Sequence, residues 1–162
     1  MYKKRISGFS IPELLIVITI LGILFALSSI NLLNVYHQNT LNTTLSTITA
    51  DLKQQQLKAM VGDTEGQAQQ NDYGIYFEPD RYTLFLGTTY SSSDPLNFAI
   101  NLNSDLQFSS ILIPSSQIVF AKGSGEVSNY NASFDNVTLR NIRTEETKTI
   151  RINQYGTIIN IY

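Results

Sequence analysis

The stretch that decides the fold is GFSIPELLIVI, residues 8–18, in which one acidic residue, Glu13, precedes the most apolar part of the chain. The basic residues Lys3, Lys4 and Arg5 come just before it, and no residue from 14 to 33 is charged. A bilayer core of about 30 Å is crossed by about 20 such residues in a helix. The run therefore predicts a membrane span, and the basic residues place its amino terminus in the cytoplasm.

A secretory signal peptide is the alternative interpretation of the same run. Its apolar core would cover residues 14–27, and the small residues near Ser28 would form the cleavage site. Two features disfavour it. Glu13 puts a charge at the mouth of the apolar core, and the helical pattern continues beyond the run instead of giving way to a mature amino terminus.

Beyond the apolar run, the spacing of hydrophobic residues predicts that the helix continues with one apolar face. The apolar positions are four, three and four residues apart and are occupied by Leu41, Leu45, Ile48 and Leu52. No proline or glycine occurs between Ile23 and Val61, and Gly62-Asp63 then supplies a stop signal. We expect one helix over about residues 11–61, whose second half packs on a soluble head through this stripe.

The remainder of the chain predicts a head of antiparallel β-strands. Alternating runs at 73–77 and 82–86 flank Pro79-Asp80, a pattern typical of a hairpin. Further strands are predicted at 98–102, 110–113, 117–121, 136–141, 148–153 and 157–162. A long helix followed by a run of strands indicates the α+β class.

The amino-terminal segment KKRISGFSIPELLIVITILGILFAL resembles that of type IV prepilins and of type II secretion pseudopilins. Their shared pattern is a basic leader, a glycine, an aromatic residue, a glutamate four residues later and an apolar helix. Here these positions are Gly8, Phe9 and Glu13. The resemblance implies cleavage after Gly8 by a prepilin peptidase, N-methylation of Phe9, and assembly of the helices into a filament core. The implied fold is pilin-like.

Four segments are expected on this basis: a leader at 1–8, a transmembrane and filament-core helix at 9–33, its amphipathic half at 34–61, and a β-rich head at 62–162. The resemblance implies a single-pass membrane protein with a cytoplasmic amino terminus and an extracytoplasmic head, later part of an extracellular or periplasmic filament. The implied partners are the bilayer, the peptidase, the inner-membrane assembly platform and other pilin or pseudopilin subunits. The order of segments in the head resembles minor subunits that prime or cap a pilus, secretion or competence filament.

Two roles are open for Glu13. Ser10-x-x-Glu13 fits a capping box, in which the two side chains satisfy amide groups at the start of the helix. Alternatively, the resemblance implies that the carboxylate pairs with the Phe9 amine of a neighbouring subunit, since an unpaired carboxylate in lipid costs several kcal/mol. We favour the pairing role, which does not exclude capping before assembly.

Other chemistry finds little support in the sequence. The chain has no cysteine and a single histidine, His37, so neither disulfides nor a metal site is expected. Gly123-Ser124-Gly125 lacks the third glycine of a phosphate-binding loop. No serine or aspartate lies in a recognisable catalytic motif. We expect no enzyme activity and no cofactor.

DNA capture is an alternative function, because some minor pilins bind DNA. Its basis would be the cluster Arg140, Arg143, Lys148 and Arg151. Against it, removing the leader takes away three of the eleven basic residues and none of the thirteen acidic ones, so the overall charge repels phosphate. Nucleic acid is therefore not an expected partner. A third possibility is an anchored extracytoplasmic protein that never polymerises.

Overall fold

A computed structural model describes the backbone of residues 10–161 and the side chains of residues 10–26, 40–159 and 161. The chain divides into two compact units, one that ends at Tyr36 and one that begins at His37. A single helix, α1 (Ile11–Val61), runs through the boundary. The predicted helix bounds are thus confirmed.

In the first unit, helix α1 begins at a polar turn and continues as an apolar rod. The carbonyl of Ser10 accepts the Leu14 amide at 3.1 Å, which makes Ser10 the N-cap residue. The hydroxyl of Thr19 donates to the Leu15 carbonyl at 2.8 Å, so this polar group within the apolar run is satisfied inside the helix. All side chains from residue 10 to 26 are exposed.

Across the part of the chain that the structure describes, no helix combines the length and the apolar character needed to cross a membrane. The predicted span, residues 14–33, includes side chains after residue 26 that lie outside this part. The span therefore stays a prediction.

Helix α1 ends in a glycine-dependent cap. The Gly62 amide donates to the Ala59 carbonyl at 3.3 Å and the Asp63 amide donates to the Lys58 carbonyl at 3.0 Å, which is the Schellman pattern. Gly62 has a φ of 67°, a conformation that glycine adopts without steric cost. The predicted stop at Gly62-Asp63 is confirmed.

The described part of the second unit contains two antiparallel sheets of four strands. In the first sheet the order is β3-β2-β1-β5, and in the second it is β4-β6-β7-β8. The strands are β1 (Tyr73–Glu78), β2 (Arg81–Leu86), β3 (Phe98–Asn101), β4 (Leu106–Leu112), β5 (Gln117–Phe120), β6 (Asn136–Asn141), β7 (Thr147–Ile152) and β8 (Ile158–Ile161). The α+β, pilin-like class with a long amino-terminal helix is confirmed.

One strand differs from the expectation. Strand β4 begins at Leu106, four residues before the predicted start, and is paired with β6 along its length. Its register shifts between Phe108 and Ser110, the signature of a β-bulge. The bulge breaks the alternation of apolar and polar residues, and for that reason the pattern showed only the second half of the strand.

The core of this unit joins the helix to both sheets. The predicted apolar stripe is buried at all four positions, Leu41, Leu45, Ile48 and Leu52. It packs into one cluster with strand residues of both sheets. At its centre the Phe77 ring meets the Phe108 ring edge-on, with centroids 5.3 Å apart, so that an aromatic pair connects the two sheets.

Candidate functional site

Helix α1 places Glu13 in its first turn, next to the N-cap residue Ser10. The carboxylate is therefore at the positive end of the helix, as both interpretations of Glu13 require. Gly8 and Phe9, the predicted cleavage and methylation positions, lie outside the described residues. Glu13 thus remains a predicted assembly residue whose position suits the role.

Directly after Glu13, the helix presents an exposed apolar surface. The large side chains from Leu14 to Phe25 are exposed on all sides, and the Phe25 side chain keeps 78% of its surface accessible. A helix that is apolar all round is normally covered by lipid or by other helices. A carboxylate beside such a surface would lose water when the surface is covered, and would then need a cation as partner.

Comparison with known proteins bears on this segment. Residues 3–29 match the family model described as the prokaryotic N-terminal methylation motif. The chain carries the prepilin-type signature of type IV pilins and pseudopilins. The resemblance based on Gly8, Phe9 and Glu13 is thereby confirmed. Neither the curated proteins nor the solved structures include a significant match to this chain.

The signature supports a type IV pilin-like or pseudopilin precursor. The class consists of structural subunits, which are generally not enzymes. The motif implies processing by a prepilin peptidase, attachment to the membrane through the amino-terminal segment, and assembly with other pilins. The motif covers residues 3–29 and gives no information on the head.

The four cations of the predicted DNA patch are not presented on one face. Arg140 and Arg151 lie on the neighbouring strands β6 and β7, and their cross-strand partners are Thr147 and Asn136. Lys148 is paired with the buried Leu139, so it belongs to the core face of the sheet, opposite the two arginines.

Each of the three arginines is also paired with a carboxylate. The donor–acceptor distances are 2.5 Å for Arg140–Glu145, 2.6 Å for Arg143–Asp105 and 2.7 Å for Arg151–Asp135. Asp135 is only 4% exposed, so Arg151 neutralises a buried carboxylate. The carboxylates thus neutralise the positive charge that binding of DNA phosphates would require.

Metal binding finds no geometric support in the described residues. No group of three His, Cys, Asp or Glu side chains among them could hold a metal ion. The side chain of His37 is outside the described residues.

A cleft that sequence reasoning missed lies between α1 and the first sheet. Its volume is about 360 Å³, and we call it the β3 cleft. Its polar side comes from the helix and its apolar side from the sheet, the main lining residues being Asp51, Gln55, Lys58, Leu84, Phe98 and Ile100. The available signal was Gln55, a polar residue three positions after Leu52 where the stripe calls for an apolar one.

Two tyrosines are buried near this cleft and keep their protons to high pH. Tyr82 donates to the Asp51 carboxylate at 2.6 Å; burial, and then this hydrogen bond, raise the pKa of Tyr82 well above its usual value. Tyr73 donates to the backbone carbonyl of Asp63 at 2.9 Å. Burial and the nearby charges of Glu65 and Asp63 raise the pKa of Tyr73 to about 12.

Proposed function

We propose that the chain is a minor structural subunit of a type IV pilus or of a type II secretion-like pseudopilus, which primes or caps the filament. The observation that carries the proposal is the prepilin-type signature at residues 3–29, within which helix α1 exposes apolar side chains from Leu14 to Phe25. The minor role is supported by the resemblance of the head to minor subunits. It is also consistent with the absence of cysteine, since many major pilins have a disulfide-bonded loop.

In this proposal the precursor is a single-pass membrane protein with a cytoplasmic amino terminus and an extracytoplasmic head. Cleavage after Gly8 frees the Phe9 amine, which is then methylated. The assembly platform draws the helix from the bilayer into the filament core. There the Glu13 carboxylate pairs with the Phe9 amine of a neighbouring subunit, which offsets the cost of leaving water.

The first test is the mass of the amino-terminal peptide of membrane-extracted protein. We expect N-methylated Phe9 as the first residue, and the Gly8→Val variant should keep the leader. Gly22→Val is a matched control, because an added Cβ at Gly22 meets no atom within 4 Å, and it should be cleaved normally. A mature chain beginning near Ser29 would show that the apolar run is an ordinary signal peptide.

The second test separates the two roles of Glu13. Glu13→Ala should be inserted and cleaved but should enter filaments poorly, whereas Ser10→Ala should enter them normally. Losing the cap alone costs about 1 kcal/mol of helix stability. The readout is the fraction of the chain in sheared filaments, normalised to the membrane pool. Wild-type incorporation of Glu13→Ala would rule out the pairing role, and an equal defect in Ser10→Ala would favour capping.

DNA capture is disfavoured by the paired arginines and by the position of Lys148. The full chain should therefore not bind duplex DNA at physiological salt in an anisotropy titration. Micromolar binding that is lost when Arg140, Arg143, Lys148 and Arg151 are all replaced by alanine would place DNA uptake first. If the processed chain never enters filaments, the anchored protein that does not polymerise is the better interpretation.

A further inference from the structure

In the described part of the chain the two sheets have four edges, and three of these carry either a cap or a β-bulge. The edge of β5 is capped by Ser128, whose amide donates to the Val119 carbonyl at 2.9 Å, and by Asn129, whose side chain donates to the Gln117 carbonyl at 2.6 Å. The pairing of β4 with β6 and that of β8 with β7 both contain register shifts. Bulges of this kind are a common way to prevent another strand from pairing with an edge.

Strand β3 is the edge without such a device. Its pairing with β2 is regular, and FAIN contains neither a charge nor a proline. The Leu102 amide donates to the Asp80 carbonyl at 2.8 Å, which fixes the alternation of backbone groups along β3. Phe98 and Ile100 bond toward β2, so the backbone groups of Ala99 and Asn101 point outward. A further strand can therefore pair with this edge.

The β3 cleft lies beside the same edge and is apolar on the strand side. Phe98 and Ile100 line it, and the Phe98 side chain is 65% exposed although it belongs to an otherwise buried face of the sheet. In an added strand, every second side chain would point into the cleft and cover Phe98. The exposed apolar side chain of Phe98 thus lies at the same edge of the sheet that is open to pairing with a further strand.

The helical side of the cleft offers hydrogen-bond acceptors. Gln55 is 3% exposed, and among the described residues its Oε1 atom has no hydrogen-bond partner. A buried acceptor without a donor costs about 1–3 kcal/mol, so a ligand that supplies the donor recovers this energy. Asp51, one helical turn earlier, adds a carboxylate to the same wall. Lys58, the cation of this wall, already forms an ion pair with Glu65.

We propose that β3 and the β3 cleft bind an extended peptide strand that carries an apolar side chain and, two residues away on the same face, a lysine or arginine. The peptide backbone pairs with Ala99 and Asn101. The apolar side chain covers Phe98, and the cationic side chain donates to Gln55 and Asp51. An extended strand places two such side chains about 7 Å apart on one face. The site does not depend on filament assembly.

The probe is a fluorescein-labelled peptide, STLTKTS, together with STKTLTS for the opposite strand direction, titrated into the full chain in mild detergent. We expect saturable binding of one of them. Hydrogen exchange should slow at the Ala99 and Asn101 amides and not along β8. Replacing the leucine by serine, or N-methylating the amide that faces β3, should weaken binding at least about tenfold, because each removes one element of recognition. That amide belongs to the threonine between leucine and lysine if the peptide pairs antiparallel, and to the residue after this threonine if it pairs parallel.

Matched protein variants locate the site. Phe98→Lys should weaken binding at least about tenfold, whereas Ile159→Lys, a similar change at a 53% exposed residue of the bulged β8, should leave it unchanged. Ala99→Pro removes an outward amide that does not bond to β2 and should abolish binding. If that variant fails to fold, the N-methylated peptide makes the same test without altering the protein.

Gln55→Leu tests the polar contact by a double-mutant cycle. It should lower the affinity for the lysine peptide about tenfold and leave that for the norleucine analogue within about threefold. The proposal is overturned if neither peptide binds up to about 1 mM, or if both N-methylated forms, at the threonine and at the residue after it, bind as well as the unmodified peptide. It is also overturned if Phe98→Lys and Ile159→Lys have the same effect, or if the chain instead forms a dimer that Phe98→Lys abolishes.

Discussion

The hydrogen bond from Tyr82 to Asp51 makes the stability of the head depend on pH in a way that one substitution isolates. Tyr82→Phe keeps the ring that packs on Phe77 and Phe108, at centroid distances of 6.5 Å in both cases, and removes only the hydroxyl. At pH 8 the variant should lose about 1.5 kcal/mol of unfolding free energy, the lower end of the range for a bond to a charged group. The lower end applies because Asp51 is half-buried and water replaces part of the bond.

At alkaline pH the difference in stability between the wild type and Tyr82→Phe should disappear. A tyrosine whose folded-state pKa is raised stabilises the protein fully below the unfolded pKa of about 10, and this contribution is lost as the pH rises toward the folded pKa. Tyr82 and Tyr73 both behave in this way, so each removes about 1.4 kcal/mol per pH unit above pH 10. Tyr82→Phe keeps only the Tyr73 contribution. Its stability should therefore fall about half as steeply and meet that of the wild type near pH 11.

The measurement is urea unfolding of the full chain in mild nonionic detergent, followed by circular dichroism between pH 8 and pH 11.5. Tyr73→Phe is the matched variant, because it also removes a buried phenol hydroxyl and should also halve the slope. The double variant should lose both tyrosine contributions. Parallel stability profiles for wild type and Tyr82→Phe above pH 10 would refute the assignment of a buried, proton-retaining Tyr82.

Five further substitutions, two of them controls, test the packing, the hydrogen bonding and the charges of the head. Ile48→Ala, in the buried stripe, should cost about 2–5 kcal/mol in denaturant unfolding, whereas Leu57→Ala at an exposed helix position should change stability by less than about 0.5 kcal/mol. Gln56→Leu should cost about 1–2 kcal/mol, because its amide donates at 2.7–2.9 Å to two turn carbonyls that would lose this donor. Arg151→Ala, which strands a buried aspartate, should cost about 2 kcal/mol, whereas Arg140→Ala, facing an exposed glutamate, should cost less than about 1 kcal/mol in the same assay. Equal costs for the two arginine variants would show that burial of the partner does not decide the contribution.

The helix and most strands could be predicted from the sequence because they depend on local patterns. The period of the stripe from Leu41 to Leu52 sets which face of α1 is buried, and Gly62 sets where the helix ends. The alternation in residues 73–86 likewise set the hairpin. Strand β4 was only half predicted, because its bulge interrupts the two-residue period on which such predictions depend.

The amino-terminal signature is also set by the sequence alone, since the family model matches it over one contiguous stretch, residues 3–29. The charge pairs and the β3 cleft, by contrast, could not be predicted from the sequence. Whether Arg151 is available to a ligand depends on Asp135, sixteen residues away, and the cleft combines Gln55 of the helix with Phe98 of an edge strand. Sequence spacing does not specify such distant pairs, because only the packing of the helix on the sheet determines which side chains meet and which edge stays open.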